Sequence, residues 1–139
     1  MDILFGGQVP NEGIVHLYMT RLIKNLGMGR LRKPYIEIEF TTRMDALGYC
    51  QGDIESACIE ISKQCPETGR NLTFLEMMRT LAHEMIHAKQ FIRGQLVSDG
   101  GLSWKGDFSA SNQPWEEEAY KFEDGLFVMS FPFESKFKN

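Results

Sequence analysis

The sequence predicts an α+β fold in which a small mixed or antiparallel sheet packs with helices. Three patterns favour this class: an alternating segment at 35–40, a long capped apolar segment at 73–93 and a helical segment that begins at Pro114. Strand side chains repeat with period two and helix side chains with period 3.6, so spacing separates the two kinds of segment. We expect a single domain over residues 1–139, because this length is enough to bury a core.

The first half of the chain contains one predicted helix and two or three predicted strands. Residues 11–26 show an amphipathic helical pattern that Gly27 ends. Residues 35–40, YIEIEF, alternate between apolar and polar side chains, as in a strand with one buried face. Residues 46–63 contain glycines and predict one or two further strands, of which 58–62, CIEIS, has the stronger pattern.

The central segment predicts a long helix with a defined start and end. Thr73 and Glu76 have the spacing of a capping box, in which each side chain bonds the other residue's backbone N–H. The apolar pattern then continues without a breaker to Arg93, and Gly94 ends it. Apolar residues cover nearly the whole circumference of this helix, so we expect it to cross the protein interior.

The last third of the chain predicts one more helix and less regular flanking segments. Residues 95–112 are polar and glycine-rich, and 102–106 within them predict a short strand or a loop that lines a cleft. The helix that begins at Pro114 is expected to extend over 114–126. The aromatic and basic tail, 127–139, is expected to pack back as an irregular arm.

Composition favours a globular, cytoplasmic protein. The chain is 42% hydrophobic and 24% charged, with a net charge of −4, so a protein whose main partner is nucleic acid is not favoured. No segment has the pattern of a signal peptide or the roughly 20 apolar residues of a membrane span. Cys50, Cys58 and Cys65 lack C-x-x-C spacing and predict free thiols. We expect a monomer with no membrane partner.

The segment TLAHEMIHAKQ, at 80–90, contains the H-E-x-x-H pattern of zinc peptidases. His83 and His87 are four residues apart, so a helix places both imidazoles on one face, where they can bind one tetrahedral zinc ion. Glu84 points about 100° away from His83 and is suited to take a proton from a metal-bound water as general base. An accidental match is the alternative, and the position midway along a capped, buried helix favours the metal site.

A third zinc ligand has to come from elsewhere in the chain. Arg93 stands where a metzincin would have its third histidine, and His16 is predicted on the polar side of the first helix. The remaining candidates are Glu116, Glu117 and Glu118 at the start of the last helix, as in His₂Glu zinc sites. Helical geometry puts Glu118 at the edge of the predicted apolar stripe and turns the other two aside, so Glu118 is the predicted ligand. The stripe is predicted to contain Trp115, Ala119, Phe122 and Leu126.

The order of these motifs resembles the layout of SprT-like metallopeptidases. LGYCQGD at 47–53 and CIEIS at 58–62 precede the H-E-x-x-H helix, as the hairpin and strand do in that family. Trp104-Lys105-Gly106 and the PWEEEA segment at 114–119 are similar to the W-x-G and P-W-E-x-E-A of small, often phage-encoded members. The Glu118-Ala119 pair also resembles the E-A of gluzincins, whose glutamate is the third zinc ligand. The resemblance covers residues 34–125.

The resemblance and the motif together imply a compact zincin-like metallopeptidase that hydrolyses protein or peptide substrates. His83, His87 and Glu118 would bind zinc and leave a fourth position for water. Tyr49 or Tyr120 can be proposed to stabilise the oxyanion, although Tyr120 is predicted to project away from the inward face. A phage-encoded member would work in the host-cell cytoplasm.

Two other functions are compatible with the same motifs. One is a non-catalytic, zinc-containing binding or effector protein, which would have no need of a base at Glu84. The other is a DNA-associated SprT-type protease. The chain lacks the C-terminal cysteine zinc ribbon of many SprT proteins, and a basic surface is not evident in the sequence, so nucleic acid is not a favoured partner.

Overall fold

A computed structural model describes residues 1–42, 45–106 and 112–139 of the chain. In this part, three helices accompany a four-stranded mixed sheet and a two-stranded sheet, which confirms the predicted α+β class. None of these helices is both long enough and apolar enough to cross a membrane. The elements are β1 (Asp2–Gly6), α1 (Glu12–Asn25), β2 (Tyr35–Thr41), β3 (Gly48–Gly52), β4 (Ser56–Ser62), α2 (Phe74–Ile92), β5 (Leu96–Ser98), β6 (Leu102–Trp104) and α3 (Pro114–Ser130).

The larger sheet has the strand order β1-β2-β4-β3. β2 is parallel to both β1 and β4, whereas β3 forms an antiparallel hairpin with β4. Ile36, Ile38 and Phe40 are buried on one face of β2, as the alternation predicts. The segment at 46–63 forms two strands, so the two-strand alternative is correct there. β1 was not predicted from the sequence, because it is a short edge strand whose Leu4 remains 47% exposed.

α2 has the bounds that its sequence signals predict. The Thr73 hydroxyl accepts a hydrogen bond from the Glu76 N–H at 3.2 Å, and the Glu76 carboxylate accepts one from the Thr73 N–H at 3.0 Å. Gly94 follows the helix at φ 72°, a left-handed conformation that favours glycine. α2 packs against β3 and β4 on one side and against α3 on another. Its polar residues at 83, 84 and 87 are therefore buried with it.

The other two helices lie close to their predicted positions. In α1, Tyr18 is buried and donates a hydrogen bond from its hydroxyl to the Met78 carbonyl at 2.8 Å, whereas Leu17 is 37% exposed. The helix that begins at Pro114 extends to Ser130, beyond the predicted end at residue 126. After it, Phe131 is buried in the core, and the remaining tail is irregular, as predicted.

The segment after α2 forms a hairpin. β5 and β6 pair as antiparallel strands, so the strand alternative is correct for 102–104. Residues 107–111 of the predicted glycine-rich segment lie outside the described residues.

Candidate metal centre

The two histidines of α2 present their Nε2 atoms to the same point. His83 and His87 lie one helical turn apart, and their Nε2 atoms are 3.2 Å from each other. Their exposed fractions are only 9% and 8%. The predicted convergence of the two imidazoles is therefore present in the structure.

A carboxylate from α3 completes a cluster of three. Glu116 Oε1 lies 3.1 Å from His83 Nε2 and 2.5 Å from His87 Nε2. The three potential ligand atoms all lie within 4.8 Å of one another. Two imidazole nitrogens and one carboxylate oxygen are a donor set that suits zinc. The carboxylate that the structure brings to the histidines is thus Glu116.

The predicted position of Glu118 is corrected by the structure. Its Oε1 accepts a hydrogen bond from Gln90 Nε2 at 3.0 Å and lies 3.4 Å from Lys89 Nζ, and this carboxylate is not part of the His83–His87–Glu116 cluster. The error has a geometric cause, since the buried stripe of α3 differs from the predicted one. Phe122 is 50% exposed, while Phe127, assigned to the tail in the prediction, is 2% exposed.

Glu84 lies beside the cluster, buried against β3. Its side chain is 6% exposed, and a Cβ added to Gly48 would lie only 2.9 Å from Glu84 Oε2. Burial raises the pKa of Glu84, the imidazoles of His87 and His83 oppose this rise, and the charge of Glu116 adds to it. A cation bound at the cluster would favour the ionised carboxylate. The structure therefore places a perturbed carboxyl group next to three potential metal ligands.

The charges within the cluster support one another. Hydrogen bonds with His83 and His87 hold the pKa of Glu116 well below its usual range. Burial lowers the pKa of His87, but its hydrogen bonds with Glu116 and Gln90 outweigh burial and leave the pKa raised. Glu116 is consequently ionised at neutral pH and ready to bind a cation.

Two further residues of α3 border the cluster. Tyr120 is 65% exposed, in agreement with its predicted projection away from the inward face, and its ring nevertheless lies 4.8 Å from the ring of His83. Glu123 Oε2 lies 3.6 Å from His83 Nδ1. Both follow Glu116 at helical spacing, 116, 120 and 123, and this pattern was the available signal. His16 is exposed on α1, as predicted.

An open cleft crosses the candidate metal centre. One cavity of about 360 Å³ lies along Tyr49, Phe91, Leu96 and Trp115. A second, of about 280 Å³, is lined by residues that include Leu47, Thr80, Tyr120 and Glu123. Both cavities are bounded by Gly48, His83, Glu84 and Glu116. A ligand that lies in the cleft would therefore pass directly over the cluster.

Comparison with models of known protein families gives no match for this chain, and comparison with curated proteins gives none either. The likeness to SprT-like metallopeptidases consequently rests on the sequence motifs within residues 34–125.

Proposed function

We propose that this protein is a zinc-dependent metallopeptidase of the SprT-like, zincin type. The observation that carries the proposal is the convergence of His83, His87 and Glu116 within 4.8 Å, beside the buried carboxyl group of Glu84 in an open cleft. An acid–base group of perturbed pKa next to a potential metal site is typical of an active site.

His83, His87 and Glu116 would hold the ion through two nitrogens and one oxygen. Three protein ligands are the usual set of a catalytic zinc site, whereas structural sites usually have four. When bound, zinc supplies a water of lowered pKa and a positive charge that polarises a peptide carbonyl. Glu116 contributes a negative charge to the ligand set, which its depressed pKa keeps available at neutral pH.

Glu84 is suited to accept a proton from the attacking water and to pass it to the departing amine. Its burial raises its pKa toward the working range of a general acid–base group. Gly48 of β3 has no Cβ, which leaves room for this carboxylate at the cleft wall. A site with only a structural ion would have no use for a buried acid at this point, which favours catalysis over a non-catalytic binding protein.

The cleft also offers positions for a peptide and for the charge that develops on it. β3 is an outer strand of the described sheet and borders the cleft, so an extended peptide can pair with its free backbone groups. Tyr120 lies on the other side of His83, and its hydroxyl is a candidate donor to the oxyanion. Substrates are therefore proposed to be extended segments of protein chain.

One experiment distinguishes the proposed metal ligand Glu116 from the proposed base Glu84 and from Glu118, which lies outside the cluster. Bound zinc and cleavage of casein and fluorogenic peptides would be measured for the wild type and for Glu84→Gln, Glu116→Gln and Glu118→Gln. We expect Glu84→Gln to keep zinc and lose cleavage, and Glu116→Gln to lose both. Glu118→Gln should keep zinc far better than Glu116→Gln, because its carboxylate faces Gln90.

Each unfavourable outcome contradicts a different part of the proposal. A wild-type protein that binds no zinc would contradict the metal centre. A Glu84→Gln variant that cleaves as fast as the wild type would contradict the base. Zinc binding without any cleavage would favour the non-catalytic binding protein, and single-stranded DNA binding that falls with salt would favour the DNA-associated protease.

A further inference from the structure

Gln90 occupies a buried position behind His87. It lies three residues after His87 on α2, its exposed fraction is 0%, and its Oε1 is 2.8 Å from His87 Nδ1. A fully buried amide side chain needs partners for both its oxygen and its nitrogen. The partners of Gln90 determine what it can do to His87.

The orientation of the Gln90 amide follows from the other groups around it. Its Nε2 lies 3.0 Å from the backbone carbonyl of Trp115 and 3.0 Å from Glu118 Oε1. A carbonyl and a carboxylate only accept hydrogen bonds, so the two N–H groups of the amide must face them. Oε1 is then left to face His87. Turning the amide over would place oxygen against two acceptors and NH₂ against the imidazole.

This orientation dictates the tautomer of His87. Because Gln90 Oε1 can only accept, His87 Nδ1 must carry the hydrogen and donate it. Glu116 Oε1, 2.5 Å from His87 Nε2, is also an acceptor, so in the metal-free protein both ring nitrogens are positioned to donate a hydrogen. A bound cation would take the place of the hydrogen on Nε2, at the point where the three potential ligands converge, while Gln90 keeps the hydrogen on Nδ1.

Glu118 and Lys89 extend the chain of contacts by one more step. The Glu118 carboxylate, whose side chain is 15% exposed, accepts from Gln90, and Lys89 Nζ lies 3.4 Å from the same oxygen. The lysine charge compensates that of the carboxylate, and the carboxylate holds the amide in place. Glu118 is thus linked to His87 through Gln90.

We infer that Gln90 is a positioning residue for the metal centre, with Glu118 holding its amide and Lys89 supplying the counter-charge. The positioning role depends on the proposed metal site. The contacts that would perform it are the hydrogen bonds described above and do not depend on a bound ion. Gln90 fixes the rotation and tautomer of the His87 ring and ties α2 to the first turn of α3. Partners of this kind typically change metal affinity by about 10- to 100-fold when they are removed.

The first test measures the tautomer in the metal-free protein. Nitrogen-15 NMR of the His87 ring is recorded in a Glu116→Ala background, which removes the carboxylate that competes for a hydrogen on Nε2, at a pH high enough for the ring to be neutral. With Gln90 present, we expect the hydrogen on Nδ1. Gln90→Met keeps the length of the side chain but cannot accept, so we expect the hydrogen to move wholly or partly to Nε2. Glu117→Gln, an exposed change on the same helix, is the matched control and should leave the spectrum unchanged.

The second test measures zinc affinity and a charge-conserving swap. Gln90→Met should weaken zinc binding about 10- to 100-fold, and cobalt(II) in place of zinc should show an altered absorption spectrum. The double variant Gln90→Glu with Glu118→Gln again places an acceptor at residue 90 and an amide donor at residue 118. In the same Glu116→Ala background we expect this swap to restore the Nδ1–H tautomer, with a loss of stability because the Trp115 carbonyl no longer receives a hydrogen bond. Gln90→Glu alone sets two carboxylates against each other.

The outcomes separate this inference from the proposed function. If Gln90→Met leaves the hydrogen on Nδ1 in the Glu116→Ala background, or if Gln90→Met alone binds zinc within about twofold of the wild type, the positioning role is wrong. If the wild type binds no zinc, the proposed function fails, while the tautomer measurement still decides the contact between Gln90 and His87. Loss of stability without any change in tautomer or cobalt spectrum would show a purely structural role and overturn the inference.

Discussion

Replacing Gly48 with alanine tests how strictly the cleft holds the Glu84 carboxylate. A Cβ at this position would lie 2.6 Å from Thr80 Cγ2 and 2.9 Å from Glu84 Oε2. Ordinary non-bonded contacts of a carbon atom are about 3.5–4.0 Å, so Thr80 Cγ2 would have to retreat by roughly 0.9–1.4 Å and Glu84 Oε2 by roughly 0.6–1.1 Å. Gly48 is not among the glycines with positive φ, so an alanine backbone is tolerated and the effect comes from the contact.

Under the proposed peptidase function, this displacement predicts a loss of rate. A misplacement of about 1 Å can lower catalysis by roughly 100-fold, which is about 2.7 kcal/mol of transition-state stabilisation. Overpacking should also lower the free energy of unfolding by about 1–3 kcal/mol. Zinc affinity should change little, because Gly48 is not part of the His83–His87–Glu116 cluster. The assay is kcat/KM on a fluorogenic peptide, with zinc content and urea unfolding measured on the same preparations.

A second substitution separates the two contacts of the new methyl group. Thr80→Ser removes Cγ2 but keeps the hydroxyl that donates to the Glu76 carbonyl at 3.3 Å. In the Gly48→Ala, Thr80→Ser double variant we expect stability to recover and the rate to stay low, because the Glu84 contact persists. Gly48→Ala with kcat/KM within about twofold of the wild type would refute this reasoning, as would a double variant with full activity.

Three further results are expected. Thr73→Ala removes the hydroxyl that caps α2 and should lower the free energy of unfolding by about 1 kcal/mol in urea denaturation, and an unchanged midpoint would contradict the capping role. Arg70 and the Thr73 N–H lower the pKa of Glu76 from its ordinary 4.5 to about 2, so the stability they give is present above pH 4.5 and is lost as the pH falls toward 2. Arg70→Gln should make the fall of the unfolding free energy between pH 4.5 and pH 2 slightly shallower, because the pair is exposed, and an unaltered slope in pH-dependent unfolding would argue against the pair. Tyr120→Phe should lower kcat about 100-fold with KM little changed if the hydroxyl stabilises the oxyanion, whereas a change in KM alone would reassign it to substrate binding.

The features that the sequence predicts well are local ones. The capping box of α2 depends on residues three apart, and the pairing of His83 with His87 on residues four apart. Once the helix forms, its geometry brings each pair together without help from the rest of the fold. For the same reason the start of α2 at Phe74 and its end before Gly94 agree with the prediction.

The third potential ligand depends on contacts that local patterns do not specify. Which glutamate of α3 faces α2 is set by the helix's whole buried face, and that face includes Phe127, beyond the predicted end of the helix. When Phe127 is left out, the predicted apolar face of α3 is centred nearer to Glu118 than to Glu116. Glu118 is then predicted as the third ligand in place of Glu116. β1 was missed for a related reason. Its partner, β2, lies some thirty residues away in the sequence, and pairing with a distant strand does not produce a recognisable pattern within five residues.

The ligands of the candidate centre are unevenly spaced along the chain, with consequences for unfolding. His83 and His87 belong to one helical turn, whereas Glu116 is 33 residues from His83. A bound ion would therefore act as a removable cross-link that closes this stretch of chain. By the chain-entropy relation used for disulfides, a loop of this size is worth about 3–4 kcal/mol at most. Removal of the ion by a chelator would then release the first turn of α3 before the sheet unfolds. The supply of zinc would therefore affect the stability of the protein as well as its activity.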